Sequence, residues 1–567
     1  MKHRWQLAPA TPLPVRVLVE QLSVSPLVAQ CLVNRGHSDP AEVERFLNPR
    51  LRDLADPFLL PNMAAAIDRL FAARDKGERI VVFGDYDVDG VTSTTLLLDV
   101  LGALGWRVDG YLPHRMDEGY GLSRDGVENC LEKHAADVLL AVDCGSTAVE
   151  TIAWLNEKGV DTIVLDHHQV SVPAPLACAL VNPQLGDRFQ ELCSAGLAFK
   201  LAHALVKRGR EQQVAGFADY DVRQLLDLVA LGTVADLVPL RDENRIFVPA
   251  ALPRLSASAR PGLIALIEVA KCQEEIGVYE VGFQLGPRLN AAGRLETATE
   301  SLDLLTETDP GRARKLAGNL DGRNRERQTI ERRIVDDVME DLRQRFDPKK
   351  DFAIVEGELQ WHIGVVGIVA SRVCREFYRP TFIVGGEGGE WRGSGRSVEG
   401  FDLAAALREC DDLLLRHGGH AMAAGVSMDP EQLPAFRERL NELAQRQLKP
   451  EDLIAPLRLD AEVDLTDVSL KSVEELQTLQ PFGQGNPAVQ LIVRNVQLAD
   501  RPREIGKEKN HLLLKVESAG QRADAVWWGG AGQPQPEGPF DLACVPEINV
   551  FRGRRSVRLK VLDWRAS

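Results

Sequence analysis

The sequence predicts an α/β protein. A mostly parallel sheet covered by helices on both faces is joined by a long helix to a second α/β domain, and a small β-barrel ends the chain. Three observations predict this architecture. Strand-like apolar runs alternate with helical patterns between residues 62 and 310. A charged stretch of helical period, Gly311 to Phe346, carries no strand signal. From Leu457 onward the chain reads as short β-rich runs broken by Gly and Pro.

A chain of 567 residues holds about three or four domains. The apolar fraction of 44% and charged fraction of 26% are those of ordinary globular protein. No apolar run is long enough to cross a membrane, and MKHRWQLAPATPLP lacks a signal-peptide core. The expectation is therefore a cytoplasmic protein with no membrane partner; a monomer is also expected. Nine scattered cysteines without a C-x-x-C pair argue against a disulfide framework and a structural zinc site. The net charge of −16 argues against nucleic acid, but it is unevenly spread. Leu491 to Ser567 has 13 basic and 9 acidic residues, net +4, which leaves −20 on the preceding chain. A basic terminal module on an acidic body is compatible with nucleic-acid binding.

Residues 1–61 form a Pro-punctuated N-terminal extension with short helical patterns, such as Asp39 to Phe46. The first strand of the main domain (62–310) is Ile80 to Phe83, β-branched and aromatic without alternation; a helical pattern begins at Val91. Between them lie Asp85, Asp87 and Asp89, at the C-terminal strand edge where open α/β sheets place their sites. The D-x-D-x-D-G pattern matches half of a calcium EF-hand, but Leu96 stands where the bidentate Glu belongs and a strand precedes it. Helix capping accounts for one Asp. Three at alternate positions repel one another unless a cation lies between them.

Further strands are expected at Val108 to Leu112, Val138 to Val142 and Thr162 to Leu165, with helices at Ser123 to Lys133 and Ala148 to Lys158. The third strand ends in Asp143-Cys144-Gly145 and the fourth in Asp166-His167-His168. Carboxylates and imidazoles at one sheet edge make an oxygen-and-nitrogen donor set suited to Mn²⁺ or Mg²⁺. Leu225 to Pro239 reads as a buried helix breaking at Gly232-Thr233 and presenting Asp236 amid apolar residues. An Asp there either caps a short helix or ligates a second metal.

Four of these patterns, DYDVDG, VDCG, DHH and GTVADLVPL, resemble in order and separation the motifs of the DHH phosphoesterase superfamily. GPRLNAAGRL, SGRSVEGFDL, HGGHAMAAG and PFGQGNP extend the resemblance over nearly the whole chain to the bacterial RecJ family of single-strand-specific exonucleases. The resemblance implies two divalent ions, Mn²⁺ or Mg²⁺. Asp87 and Asp89 match the acidic pair of the first motif, Asp143 the bridging ligand, and His167 and Asp236 further ligands. His168 would face the phosphate while Asp166 orients the imidazoles. Many relatives carry a His four residues before the acidic pair; here Phe83 stands there, and Asp85 is the candidate for its role.

In the connecting helix (311–347), Leu316, Leu320, Ile330, Ile334, Val338 and Leu342 share one face, and Arg323, Arg325 and Arg327 read as a solvated face. Residues 348–445 resemble the DHHA1 domain. Its SGRS and HGGH glycines either let backbone N–H groups reach a phosphate or only make tight turns; Ser394, Arg396 and His420 are the substrate-binding candidates. Arg115, Arg288 and Asn290 are candidates for gripping the strand, the arginines being equally suited to surface salt bridges.

Residues 457–567 show five main strands, Leu491 to Val493, His511 to Val516, Ala523 to Trp528, Asp541 to Ile548 and Ser556 to Trp564, which suit an OB-like barrel. Trp527, Trp528 and Phe551 are candidates for base stacking, Arg552, Arg554 and Arg555 for phosphate contacts; the tryptophans suit a core equally well.

The reading is a metal-dependent exonuclease that hydrolyses single-stranded DNA to mononucleotides by a two-metal activated water; the resemblance adds a 5′-to-3′ direction and a place in recombination and repair. It also suggests a single-strand-binding protein and a RecQ-type helicase as partners. A short oligonucleotide, cyclic dinucleotide or pyrophosphate substrate is the alternative within the class, and a non-catalytic scaffold the alternative outside it. The terminal barrel argues against the first and the full ligand set against the second.

Overall fold

Apolar runs without alternation become strands buried on both faces, because both faces carry helices. β2 (Arg79–Phe83), β3 (Arg107–Tyr111), β4 (Val138–Val142), β5 (Asp161–Leu165) and β6 (Ala179–Val181) form an all-parallel sheet in the order β3-β2-β4-β5-β6. Val82 and Leu140 face one core with the helices Met63–Lys76, Val88–Ala103, Ser194–Glu211 and Leu226–Ala235. Val81, Phe83 and Leu139 face a second core with Arg124–Lys133 and Val149–Glu157. This is the period-two alternation of a strand. The chain leaves β2 towards β3 on one side and later returns to β4 on the other. The crevice between the C-terminal ends of β2 and β4 is therefore the topological switch point, where such sheets open a site.

This computed structural model describes residues 3–567 except 115, 116, 120, 274, 387 and 388. The sheet belongs to a unit made of Asn48–Arg327 and Pro481–Pro487; a second unit holds Met1–Leu47, Gln328–Gln480 and Ala488–Ser567. The helix Pro310–Arg345 gives its residues up to Arg327 to the first of these units and those from Gln328 to the second. Its 36 residues make it about 54 Å long. Leu320, Ile334, Val338 and Leu342 are buried along it. The expected solvated arginine face is corrected in part: Arg327 is buried and donates to Asn324, and Arg323 is held by Glu296 and Glu300. Arg325 alone is largely exposed, and it pairs with Asp321. Charge type does not reveal which carboxylates a neighbouring turn will present.

In the second unit, β1 (Arg4–Leu7) pairs in parallel with β12 (Pro456–Leu459). β7 (Ile354–Glu358), β8 (Thr381–Gly385), β9 (Trp391–Arg396), β10 (Arg416–Gly419) and β11 (Ala423–Met428) form a mixed sheet in the order β10-β11-β9-β8-β7. The C-terminal sheet has seven strands, in the order β13-β14-β18-β19-β17-β16-β15. These are β13 (Ala461–Val463), β14 (Leu491–Leu498), β15 (Arg503–Ile505), β16 (His511–Ser518), β17 (Gln521–Trp527), β18 (Phe540–Phe551) and β19 (Arg554–Ala566). Pairing of Gln497 with Glu517 and Leu498 with Val516 joins β14 to β16 and closes the five expected strands into a ring. The two additional strands have three residues each, too few for a periodic signal.

Leu140 is fully buried in the central strand β4. Leu140→Ala is expected to cost ~2–5 kcal/mol, read as a lower urea midpoint with little change in slope.

Candidate metal centre

Asp87, Asp89, Asp143 and Asp236 are each placed by a backbone feature. Asp87 caps the helix Val88–Ala103, its Oδ1 accepting from the N–H groups of Asp89 (2.9 Å) and Gly90 (3.1 Å). The capping role therefore coexists with the proposed ligand role. Asp89 lies in the first turn of that helix and is buried. Its two oxygens accept from the N–H groups of Ser194 (2.7 Å) and Ala195 (2.8 Å), at the start of the helix Ser194–Glu211. Those orphan donors and the helix dipole offset the cost of burying a carboxylate.

Asp143 follows β4 in the left-handed region, φ 64°. A non-glycine residue there stores backbone strain, of order 1–3 kcal/mol. Ser194 Oγ donates to Asp143 Oδ1 at 2.8 Å, so one serine holds Asp89 by its backbone and Asp143 by its hydroxyl. Ser194 does not stand out in the sequence, since its only signal is a hydroxyl at a helix start.

Asp236 is the C-cap of Leu226–Ala235. That helix runs unbroken through Gly232-Thr233, a correction to the expected break. The glycine is there for close approach: a Cβ on it would meet Ala195 Cβ at 2.4 Å and Asp89 Oδ1 at 2.8 Å.

His167 brings these groups together. Its Nε2 lies 3.4 Å from Asp143 Oδ1, 3.7 Å from Asp236 Oδ2 and 3.9 Å from Asp89 Oδ2. This nitrogen is buried and makes no hydrogen bond among the described residues. Metal bonds of about 2.1 Å place neighbouring ligand atoms roughly 3 Å apart or slightly more, so the spacing fits donors around a cation. Asp89, His167 and Asp236 form one group that could hold an ion; Asp85, Asp87 and Asp143 form another, and Asp143, His167 and His168 overlap both. All are oxygen or nitrogen donors, the set suited to Mn²⁺ or Mg²⁺. Phe83 is buried in the sheet core, stacked on Tyr111 at 5.5 Å. Asp85 is the nearby group able to donate to a cation.

The electrostatics agree with a cation site. Burial, then repulsion from Asp89, Asp87, Asp85 and Asp236, pushes Asp143 well above the carboxylate range. Burial with repulsion from Asp89 and Asp87 pushes Asp236 up to about 9. Burial also lifts Asp89, against the attraction of His167, and lowers His167 itself. The neighbouring pair behaves oppositely. Burial disfavours the charge on His168, but its 2.8 Å hydrogen bond from Nδ1 to Asp166 lifts it to about 9 and, despite burial, holds Asp166 low. Asp166 also accepts from the N–H of Ser146 at 3.0 Å, as befits a residue that orients His168.

Three family models match the sequence: the DHH family N-terminal domain over residues 79–233, the DHHA1 domain over 350–446 and the RecJ OB domain over 459–563. The single-stranded-DNA-specific exonuclease RecJ of Bacillus subtilis is 37% identical over 99% of this chain and 71% of its own. That of Thermus thermophilus is 36% identical over 99% and 78%. The chain belongs to the RecJ family. The crystal structure of Thermus thermophilus RecJ in complex with Mn²⁺ superposes with a TM-score of 0.85 at 32% identity, covering all of this chain and 80% of that one. The same protein's complex with Mg²⁺ gives 0.80 at 29% identity, over 100% and 79%.

Other expected site residues of this RecJ-family chain are placed as follows. Arg115 lies outside the described residues. Arg288 is held by Asp321 (2.9 Å) and the Gln284 carbonyl (2.7 Å), the salt-bridge alternative. Asn290 accepts from the Val88 N–H at 3.1 Å, bracing the acidic loop. Ser394 and Arg396 sit on β9, and a Cβ on Gly367, in the first turn of Val366–Phe377, would lie 3.2 Å from Ser394 Oγ and 3.5 Å from Arg396 Nη2. His420 is exposed. In the RecJ OB domain, Trp527 is half-buried, whereas Trp528 and Phe551 are exposed. Arg552 lies 5.3 Å over the Phe551 ring at the β18–β19 turn, Arg554 is exposed and Arg555 pairs with Glu474.

Groups that hold protons at neutral pH must release them to a cation. Mn²⁺ affinity is expected to rise as pH increases from 6 towards 9, with protons released. Titration calorimetry in buffers of different ionisation enthalpy measures both; a pH-independent affinity would contradict the crowding of these carboxylates.

Proposed function

We propose that this chain is a divalent-metal-dependent exonuclease that degrades single-stranded DNA to mononucleotides from the 5′ end. One observation supports the reading: in a RecJ-family fold, Asp85, Asp87, Asp89, Asp143, His167 and Asp236 fall into overlapping groups that could hold a cation, at the sheet's switch point. The relatives' names supply the substrate class, and the family resemblance supplies the direction.

Two divalent ions, when bound, lower the pKa of a water and stabilise the charge developing on the phosphodiester. The residues do the remainder. Asp89, Asp143 and Asp236 would hold the cations, Asp143 belonging to two of the candidate groups. Ser194 keeps Asp89 and Asp143 in register. His168, whose pKa is lifted by its bond to Asp166 and whose side chain is partly exposed, would face a phosphate oxygen, with Asp166 keeping its ring aligned. Water adds across the P–O bond; phosphorus keeps the water oxygen and the leaving oxygen takes up a proton. No protein nucleophile is needed, since Ser194 already donates to Asp143.

Arg396 and Ser394, beside a helix N-terminus, are the proposed phosphate grip of the DHHA1 domain, and Trp528, Phe551, Arg552 and Arg554 the proposed strand contacts of the OB domain. We place the enzyme in the cytoplasm as a monomer acting with a single-strand-binding protein and a RecQ-type helicase, on the family resemblance.

A 30-nucleotide strand labelled at either end is expected to lose mononucleotides from the 5′ end when Mn²⁺ is present. Asp143→Ala should lower the rate at least about a hundredfold. Internal cuts, faster turnover of a dinucleotide, or full activity in the variant would each reject the reading.

A further inference from the structure

The PFGQGNP segment has no part in the chemistry described above, and its position is unusual. Among the described residues beyond 327, only 481–487 join the unit containing the sheet. There they lie against the loop that carries Asp236. The N–H of Leu240 donates to the Gln484 carbonyl at 2.8 Å. Arg241 Nε donates to the Gly485 carbonyl at 3.2 Å, and Arg245 Nη1 to the Pro481 carbonyl at 3.3 Å. The segment is itself a closed turn. Gly483 and Asn486 exchange backbone hydrogen bonds of 2.9 and 3.2 Å, and the buried Asn486 donates from Nδ2 to the Pro481 carbonyl at 2.8 Å.

Both glycines serve close approach. A Cβ on Gly483 would meet Leu240 Cδ1 at 2.8 Å; one on Gly485, where φ is +72°, would meet Pro239 Cβ at 2.8 Å. The loop they touch needs holding. Asp236 ends its helix, Leu237 turns left-handed at φ 61° with its side chain exposed, and Leu240 is the next buried residue. A bond from Asn244 Nδ2 to the Pro239 carbonyl, 3.0 Å, restrains the same loop from its own side.

We infer that Pro481–Pro487 is a positioning latch: its carbonyls fix Leu240 and Arg241 so that Asp236 stays within reach of the cation shared with His167 and Asp89. The inference rests on the reading of Asp236 as a metal ligand. It makes a segment from the far end of the chain a requirement for metal affinity, through main-chain contacts that only a glycine-containing turn can make.

The test is Mn²⁺ binding to the full chain, by titration calorimetry and by the paramagnetic resonance of free Mn²⁺, at a temperature where circular dichroism shows each variant folded. Gly485→Ala and Asn486→Ala are expected to weaken Mn²⁺ binding about tenfold, with activity regained at raised Mn²⁺. Gln484→Ala, which keeps the carbonyl and changes an exposed side chain, should bind as the native chain does. Arg241→Ala removes one latch bond from a largely solvent-facing side chain and keeps the test readable where Gly485→Ala does not fold; it should weaken binding by a few-fold. Variants that melt earlier yet bind Mn²⁺ normally would reduce the segment to a structural prop and overturn the latch. Asp236→Ala serves as the reference. Normal Mn²⁺ binding in that variant would overturn the ligand reading and the latch together, whereas weakened binding there with normal binding in the latch variants would overturn the latch alone.

Discussion

Five aspartates drawn to one edge of one sheet repel one another, and much of the surrounding structure answers that repulsion. Asp89 is buried against the first N–H groups of Ser194–Glu211, where a helix offers unpaired donors and positive potential. Asp87 spends one oxygen on capping the next helix. Burial and then mutual repulsion leave Asp143 and Asp236 displaced towards their protonated forms, and burial lifts Asp89 too despite its donors. A divalent cation would supply the missing positive charge. Affinity for it is thus built from the same crowding that makes the metal-free cluster costly.

Two of the left-handed turns in the chain lie at the site. Asp143 and Leu237 both adopt left-handed backbone, one a proposed ligand and the other adjacent to Asp236. Gly232 lets its helix approach Asp89 more closely than any side chain would allow. The rest of the parallel sheet is regular, with alternate residues filling two separate cores. A rigid sheet holding a few strained turns is the arrangement expected where catalytic geometry must outlast the repulsion among ligands. Beside it, Asp166 and His168 form an oppositely polarised pair, one group held anionic and the other cationic. Charge of both signs is therefore available within one crevice, for cations and for phosphate.

Legibility followed the range of the interactions. Strands β2, β4 and β5 and the acidic and His residues that end them were readable, because an apolar run and its terminal polar residue are adjacent in sequence. The long helix was readable from its period. The roles of Ser194 and PFGQGNP were not, since each acts on residues far away in the chain, Asp143 and Leu240 respectively. Arg288 and Asn290 were candidates for gripping the strand, yet one binds Asp321 and the other the backbone of Val88. A side chain's chemistry does not say which partner reaches it first.

The order of elements, the donor types at the sheet edge and the family resemblance carried by the spacing of eight motifs are all contained in the amino-acid order alone. These are local properties, written in periodicity and in residue chemistry. Which oxygens gather around His167, how their repulsion is balanced, and that a turn near residue 485 braces the loop after Asp236 were settled by the folded chain. Coulomb energy and hydrogen bonding depend on distances in space, and those exist only once strands from separate parts of the chain lie side by side.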